Sequence, residues 1–463
     1  MSAKHAMATP ATMQATPPRD TREATTLQQL RSAAWPLTGA RTDFDPLIER
    51  IGDASLVLIG EASHGTEDFY RMRAQISKLL IADHGFTAVA VEADWPDAYR
   101  VNRHVRGQGG DADATAALGG FKRFPAWMWR NTEVRDFITW LRTHNDAIDA
   151  SRKAGFYGLD LYSLHASIDA VLRYLEKVDP EAARRARYRY ACFDHYGEDP
   201  QAYGYAASFD LDRSCEDEVV DQLVELRSRA ASYVAFDGRA AADEQFFAEQ
   251  NASLVRNAEV YYRAMFRHPV DSWNVRDTHM MQMLQAVRSM PSGQGARTKV
   301  IVWAHNSHLG DARATDMGKG GELNLGQLVR EDVGEDAVLI GFSTFDGTVT
   351  AASNWDEPAQ RKRVRPGLPG SYEELLHATG IPRMLLDLRN ANIAAALREP
   401  RLQRAIGVIY RPETERQSHY FNTRVCDQFD LLIHLDRTSA LQPLEPGERW
   451  HGGEPPEAYP SGL

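Results

Sequence analysis

The stretch Val57-Leu58-Ile59-Gly60-Glu61-Ala62-Ser63-His64-Gly65-Thr66 decides the fold class of this chain. A short apolar run stops at a glycine, and a carboxylate and an imidazole follow three residues apart. After the second glycine, Phe69, Met72, Ile76, Leu79 and Leu80 recur at helical spacing. The pattern reads as a buried strand, a loop and a helix in succession. In an open α/β sheet the crevice beyond the carboxyl ends of the strands is where ligands bind, so Glu61 and His64 are expected in a cleft. A histidine beside a carboxylate can take and return a proton near neutral pH.

The same grammar recurs along the chain. Ala88 to Val91, Phe156 to Leu159 and Val300 to Trp303 are short, continuous apolar runs rich in β-branched residues, and Val338 to Phe342, Met384 to Leu386, Ile406 to Ile409 and Leu431 to Leu435 are later candidates. Helical patterns lie between them, as in Val134, Phe137, Ile138 and Leu141, and in Leu164, Ile168, Val171 and Leu175. Alternating strands and helices predict an α/β fold with a mostly parallel central sheet flanked by helices. From Pro180 to Pro291 the strand signal disappears, and the amphipathic stretches Glu216 to Ser232, Ala240 to Phe266 and Val275 to Ser289 predict a large helical insertion covering the cleft. The expected organisation is a disordered tail over 1–25, the first part of the core over 26–179, the insertion over 180–291, the second part over 292–440 and a C-terminal tail over 441–463. Residues 343–352 are expected to form a β-hairpin, and Arg361 to Gly370 an exposed loop.

Composition narrows the function classes. The chain has 463 residues, 43% of them hydrophobic, enough for a substantial core. A formal net charge of -11 and a pI near 5.8 argue against nucleic acid or anionic membrane surfaces as partners and favour a small molecule. No run approaches the ~18 apolar residues of a membrane span, and residues 1–25 lack the apolar core of a secretory signal. The three cysteines, Cys192, Cys215 and Cys426, form no CxxC pair and are expected as buried thiols in a reducing, cytoplasmic compartment.

Four strand ends carry polar groups. The first gives Glu61 and His64; the second runs into Glu92 and Asp94; the third ends at Asp160; the fourth leads into Ala304-His305-Asn306-Ser307-His308. A carboxylate directly after a buried strand is desolvated, which raises its pKa unless a cation lies nearby, and Arg73 on the following helix is a candidate counter-charge for Glu61 or Glu92. Any one such carboxylate is commonly a helix cap, and Asp94 before Trp95-Pro96 fits that role. The convergence of several ends on one mouth is what favours chemistry. No GxSxG elbow, Walker loop, GxGxxG or HExxH occurs, and Ser63 beside His64 is a poor nucleophile because adjacent side chains in a turn diverge. Gly318, Gly320 and Gly321 around Lys319 read as a surface loop or an anion cradle.

Taken together, Gly60 to Thr66, the helix with Arg73, Val91-Glu92-Ala93-Asp94-Trp95, Phe124-Pro125-Ala126-Trp127-Met128-Trp129-Arg130 and Trp303 to His308 resemble the erythromycin esterase family. The resemblance spans roughly residues 40 to 440. It implies hydrolysis of an ester, in known members a macrolactone, without a covalent serine intermediate. It also implies His64 as the general base, with Glu61, Glu92 and Arg73 positioning and polarising the water and His305 and His308 on the opposite wall. Arg276 and Asp277 resemble the family's Arg-Asp helix motif, whereas Gln282-Met283 departs from the Glu-Asn of relatives. The substrate-binding candidates are Arg276, Asp94, the aromatics Phe124, Trp127 and Trp129, and His419. The last belongs to a stretch, Arg411 to Phe421 with Glu415, Arg416 and Tyr420, that is unlike the macrolide esterases and is expected to shape a different pocket.

Other readings use the same residues. Glu61, His64, Glu92, His305 and His308 comprise ligand types that zinc or manganese takes, which would make a metal-dependent hydrolase; two carboxylates alone would suit a glycosidase. A non-catalytic binder could hold a hydrophobic ligand among the aromatics, although it needs no cluster of titratable groups. The expectation adopted is a carboxylic ester hydrolase with no cofactor and no bound metal.

Overall fold

The structure is a computed structural model that describes residues 19–196, 199–209, 214–237, 239–267, 269–290 and 297–447. Its strands in chain order are β1 (Trp35–Pro36), β2 (Leu56–Ile59), β3 (Ala88–Asp94), β4 (Gly155–Asp160), β5 (Val300–Trp303), β6 (Ala337–Ala351), β7 (Gln360–Val364), β8 (Arg383–Asp387), β9 (Arg401–Arg404), β10 (Tyr420–Thr423) and β11 (Leu431–Thr438). The central sheet has the order β1-β8-β11-β6-β2-β5-β3-β4, with β7 beside β6, and β9 and β10 form a separate antiparallel pair. From β11 to β4 every pairing is parallel, while β8 and β1 close one side antiparallel. The fold is α/β with a mostly parallel sheet flanked by helices.

Strand alternation splits the core in two. Leu56 and Leu58 of β2 face one cluster, Val57 and Ile59 the other, as the two-residue period requires. On the second face lie Phe69, Met72 and Ile76 of the helix Glu67–His84, with Phe137 and Leu141 of the helix Thr132–Asp146. Against the first face pack Val171 and Leu175 of the helix Leu164–Val178, then Tyr203, Leu223, Val255 and Met280 from the helical segment. That segment is built chiefly from the helices Pro180–Tyr190, Glu216–Asp237, Arg239–Met265 and Pro269–Arg288. It shares its core with the sheet.

Several expectations need correction. The tail foreseen over 1–25 gives way to a helix from Arg19 to Ala33, whereas residues 1–18 lie outside the described residues. β6 continues unbroken through 343–351 and takes as its antiparallel partner β7, part of the stretch read as an exposed loop. The prolines and basic residues there concealed a two-residue alternation in which Gln360, Lys362 and Val364 are buried. Lys362 survives burial because Nζ donates to the carbonyls of Ala352 and Tyr410 and to Ser353 Oγ. Ile406 to Ile409 form no strand of the sheet; Ile406 makes only an isolated bridge to Ser63, and the strand lies earlier, at β9. Lys319 lies in the short helix Asp316–Lys319 and pairs with Asp316, so the glycine-flanked segment is not an open loop.

The chain also stays on the core beyond residue 440. Leu441 is buried and its N–H bonds to Gly65 O, and residues 448–463 lie outside the described residues. Cys192 and Cys215 are joined by a disulfide with Cα atoms 5.9 Å apart, and Cys426 is a buried free thiol. Spacing alone could not reveal a bridge that the helical segment closes in three dimensions, and the cysteines therefore no longer argue for a reducing compartment. Among the described residues no helix is long and apolar enough to cross a membrane.

Candidate active site

The loop after β2 is locked by close backbone approach at both glycines. A side chain at Gly60 would run into Asn306 Oδ1, and one at Gly65 would strike the Thr350 carbonyl, so only glycine fits either position. Between them the backbone is pinned by His64 N–H to Ile406 O and Ile406 N–H to Ala62 O. Asn306 ties the neighbouring strand end to the same loop through its N–H to Glu61 O, and its side chain donates to Phe342 O. Ser63 is buried and its hydroxyl bonds Thr66.

These constraints fix a chain of charges. His64 Nδ1 lies 2.9 Å from Glu61 Oε1, and Glu61 Oε2 lies 3.0 Å from Arg73 Nη2. Arg73 is fully buried, with its guanidinium carbon 4.2 Å above the Tyr70 ring and 5.2 Å from that of Trp303. With Nδ1–H donated to Glu61, Nε2 is the ring atom of His64 left with a lone pair.

β3 and β4 supply the next groups. Their pairing slips between Val91 and Asp94, three residues against the two from Gly158 to Asp160, and such a bulge re-aims the side chains around it. Glu92 Oε2 accepts the His305 N–H at 2.8 Å, while Oε1 takes Arg276 Nη2 at 2.8 Å and faces His308 Nε2 at 3.3 Å. Arg276 also grips Asp160 through Nε at 3.0 Å and Nη2 at 2.6 Å. Asp94 stands at the N-cap position of the helix Trp95–Val105 but makes no capping bond; its Oδ2 accepts from Arg123 instead, against the capping expectation.

The two histidines after β5 are in opposite states. Burial would hold His308 neutral, but Asp277 against Nδ1 at 2.9 Å and Glu92 against Nε2 outweigh it and raise the pKa to about 9, so the ring is an imidazolium at neutral pH. Its face stacks on Trp273 at 4.6 Å. Arg276 Nη1 comes within 3.1 Å of Nε2, and with a proton on both groups Glu92 is their common acceptor. Burial, then the proximity of His64, push His305 well below its ordinary value, so it is neutral. His305 Nδ1 accepts from the Ser307 N–H at 3.2 Å and lies 2.8 Å from Ser307 Oγ, which leaves the proton on Nε2, with the Ala62 backbone beside the ring. The His64 and His305 ring centroids are 4.8 Å apart. Glu92, despite burial, is held well below the carboxylate range by His308, His64 and Arg276, and Asp160 is lowered by Arg276.

All these strand ends open on a cavity of about 610 Å³, within the range of sites for drug-sized ligands. Of the site residues expected from sequence, His64, Glu92, Asp94, Phe124, Trp129, Arg276, His305, His308 and His419 line it. Glu61 and Arg73 stand behind His64 and do not reach the cavity, so Arg73 cannot touch a substrate there. Trp127 is also absent from the lining and packs in the core. Among the described residues of the helical segment, only Trp273 and Arg276 line the cavity. Gln282 bonds Asn257, and Met283 is buried, so neither faces substrate. His419 is neutral, pushed down to about 4 by burial, and accepts the Arg411 N–H.

Sequence reasoning passed over Asp97, Arg123, Tyr162 and Trp355 on the cavity wall. Asp97 follows Asp94 by one helical turn, a spacing that could have found it. Tyr162 carries Arg123 and Arg276 against its ring at 4.8 and 5.0 Å, a relationship with no local signature. Among the described residues no cluster of three or more His, Cys, Asp or Glu is arranged to hold a metal ion.

Residues 81–438 match the family described as erythromycin esterase. The chain is similar to an Escherichia coli protein, erythromycin esterase type II, at 23% identity over 75% of this chain and 84% of that protein. Among solved structures it resembles a succinoglycan biosynthesis protein with a TM-score of 0.72 and 20% identity, over 91% of this chain and 99% of the other. An erythromycin esterase mutant in its open conformation aligns with a TM-score of 0.63 and 16% identity, over 91% and 98% of the two chains.

Proposed function

The chain belongs to the erythromycin esterase family, and on that premise we propose that it hydrolyses a carboxylic ester by means of a water that His64 deprotonates. The observation that carries this is the His64–Glu61 hydrogen bond of 2.9 Å at the wall of the cavity. Glu61 fixes the tautomer, leaving Nε2 as the base, and balances the imidazolium that forms when it accepts the proton. Arg73 holds Glu61 in place from behind.

The attacking hydroxide and the ester carbonyl give a tetrahedral oxyanion, which collapses with departure of the alcohol; the proton held on His64 returns to the leaving oxygen. His305, neutral and with its proton on Nε2, is the donor suited to that oxyanion, as a preorganised dipole beside His64. The charged Arg276 and His308 hold Glu92, which in turn holds the His305 backbone. Glu61 is already paired with Arg73, and Glu92 with Arg276 and His308, which supports a reaction that needs no resident metal. Phe121, Phe124, Met128, Trp129, Trp273 and Trp355 give the cavity the apolar walls that a bulky ester, such as a macrolactone, requires. The test is incubation of the purified protein with a panel of macrolides and simpler esters. A macrolide product heavier by one water, or an acid and an alcohol released from a simple ester, supports the reading, and intact substrates across the panel contradict it.

A further inference from the structure

A second cavity, of about 380 Å³, lies against another face of the helix Trp95–Val105 and shares no lining residue with the one at the strand ends. Asp97 of that helix faces the first cavity, whereas Tyr99, Arg100 and Arg103, at spacings of three and four residues, face the second. Across from them the helix Leu164–Val178 presents Arg173, Tyr174 and Lys177 at the same spacings. Each stripe carries one tyrosine and two cations. Positive charge thus lines both walls of one cavity in a chain whose formal net charge is -11.

Only half of that charge is answered by the protein. Arg100 is forked on Asp111 at 2.6 and 3.0 Å, and Lys177 pairs with Glu244 at 2.6 Å, which uses both carboxylates of the lining. Arg103 donates to the Gln108 carbonyl, and neither it nor Arg173 meets a carboxylate at ion-pair distance among the described residues. Two guanidinium groups on facing helices are left for an anion, and a phosphate has oxygens enough for both forks. Between them the cavity is aromatic. The Tyr99 ring stacks on Phe247 with centroids 3.9 Å apart, and Trp95 backs both. The Tyr99 hydroxyl donates to the Asp243 carbonyl and that of Tyr174 to Gln245 Oε1, so both rings are held in place before any ligand arrives. Fixed aromatic rings beside arginines are the chemistry that receives a nucleobase and its phosphate.

We infer that this second cavity binds a phosphate monoester with a planar aromatic body, of the nucleoside monophosphate type, its phosphate between Arg103 and Arg173 and its ring against Tyr99 and Tyr174. The site is separate from the cavity at the strand ends and does not depend on reading that one as an esterase.

Isothermal titration of the full chain with AMP, adenosine and inorganic phosphate tests it. AMP should bind roughly tenfold tighter or more than either of its parts, since only AMP meets the arginines and the rings together. Arg103 and Arg173 are exposed, so Arg103→Gln and Arg173→Gln should each weaken AMP about tenfold or more while the melting temperature of the free protein stays unchanged. Gly110→Glu approaches the site differently: a Cβ there meets nothing within 4 Å, so the substitution sets a carboxylate at the lining without displacing it and should weaken AMP with both arginines intact. No heat with AMP at millimolar concentration, AMP bound no tighter than adenosine or phosphate, or an affinity unchanged in all three variants overturns the site.

Discussion

Glu61 is gripped from both sides: Oε1 takes His64 Nδ1 at 2.9 Å and Oε2 takes Arg73 Nη2 at 3.0 Å, with Glu61 and Arg73 both essentially without solvent exposure. A buried carboxylate in that position is stable only while its cation is present. Arg73→Met should therefore destabilise the fold by about 3–5 kcal/mol, the typical effect of breaking a buried pair by removing one partner. Glu61→Gln combined with Arg73→Met should restore much of the stability and none of the activity. Denaturant unfolding of the single and double variants checks this, and a single variant as stable as the wild type contradicts it.

The charge on His308 predicts a basic limb. Its folded pKa, about 9, lies above the ordinary 6.5, so its ionic contacts add stability that is fully present below about pH 6.5 and is lost as pH rises through about 9. His308→Gln should flatten the fall in stability across that window. Asp277→Asn weakens the strongest support of the imidazolium and should move the alkaline loss of kcat/KM to lower pH. An unchanged alkaline limb in both variants would show that His308 does not titrate there.

On the acid side the sign reverses. His305 is buried neutral with its pKa well below 6.5, so its share of stability is present above about 6.5 and is lost as pH falls through its depressed value. Its close approach to His64 means that protonating either ring repels the other. Repulsion delays the second proton, so activity is expected to fall in acid with no more than a one-proton slope near its first loss, as measured by kcat/KM against pH, and a two-proton slope there would contradict the coupling.

Much of this was legible in sequence because it lies in short-range pattern. The runs at β2, β3, β4 and β5 read as strands since each is apolar and bounded, and their parallel order carries Glu61, Glu92, Asp160 and His305 to one mouth. What sequence could not supply was pairing. Nothing local says that Arg73 chooses Glu61, that Arg276 chooses Glu92 and Asp160, or that Asp277 charges His308 while His305, three residues earlier, stays neutral. β7 was missed because its exposed Arg361 and Arg363 outweighed an alternation only five residues long.

Arg276 braces four elements, and that predicts a mixed phenotype. Removing it leaves Glu92 and Asp160 as adjacent buried carboxylates without their shared cation. Arg276→Ala should lower both the melting temperature and kcat/KM, and Arg276→Lys should recover part of the first and less of the second, because a point charge cannot reproduce the forked contacts. A variant with full activity and unchanged melting temperature contradicts the brace.

Activity is expected to survive exhaustive chelation, since Arg73, Arg276 and His308 occupy the carboxylates that a metal would use. Elemental analysis alongside the assay decides it. Stoichiometric zinc or manganese, with activity lost on removal and regained on return, would overturn the metal-free reading.

Turnover of His64→Gln on whichever ester the wild type cleaves reads the role of the His64 imidazole directly. Loss of a general base typically costs ~10²- to 10⁴-fold in rate. A fall of that size, with ligand affinity and fold retained, is the predicted result. Near wild-type turnover by the variant would contradict His64 as the base, and with it the mechanism proposed for this cavity.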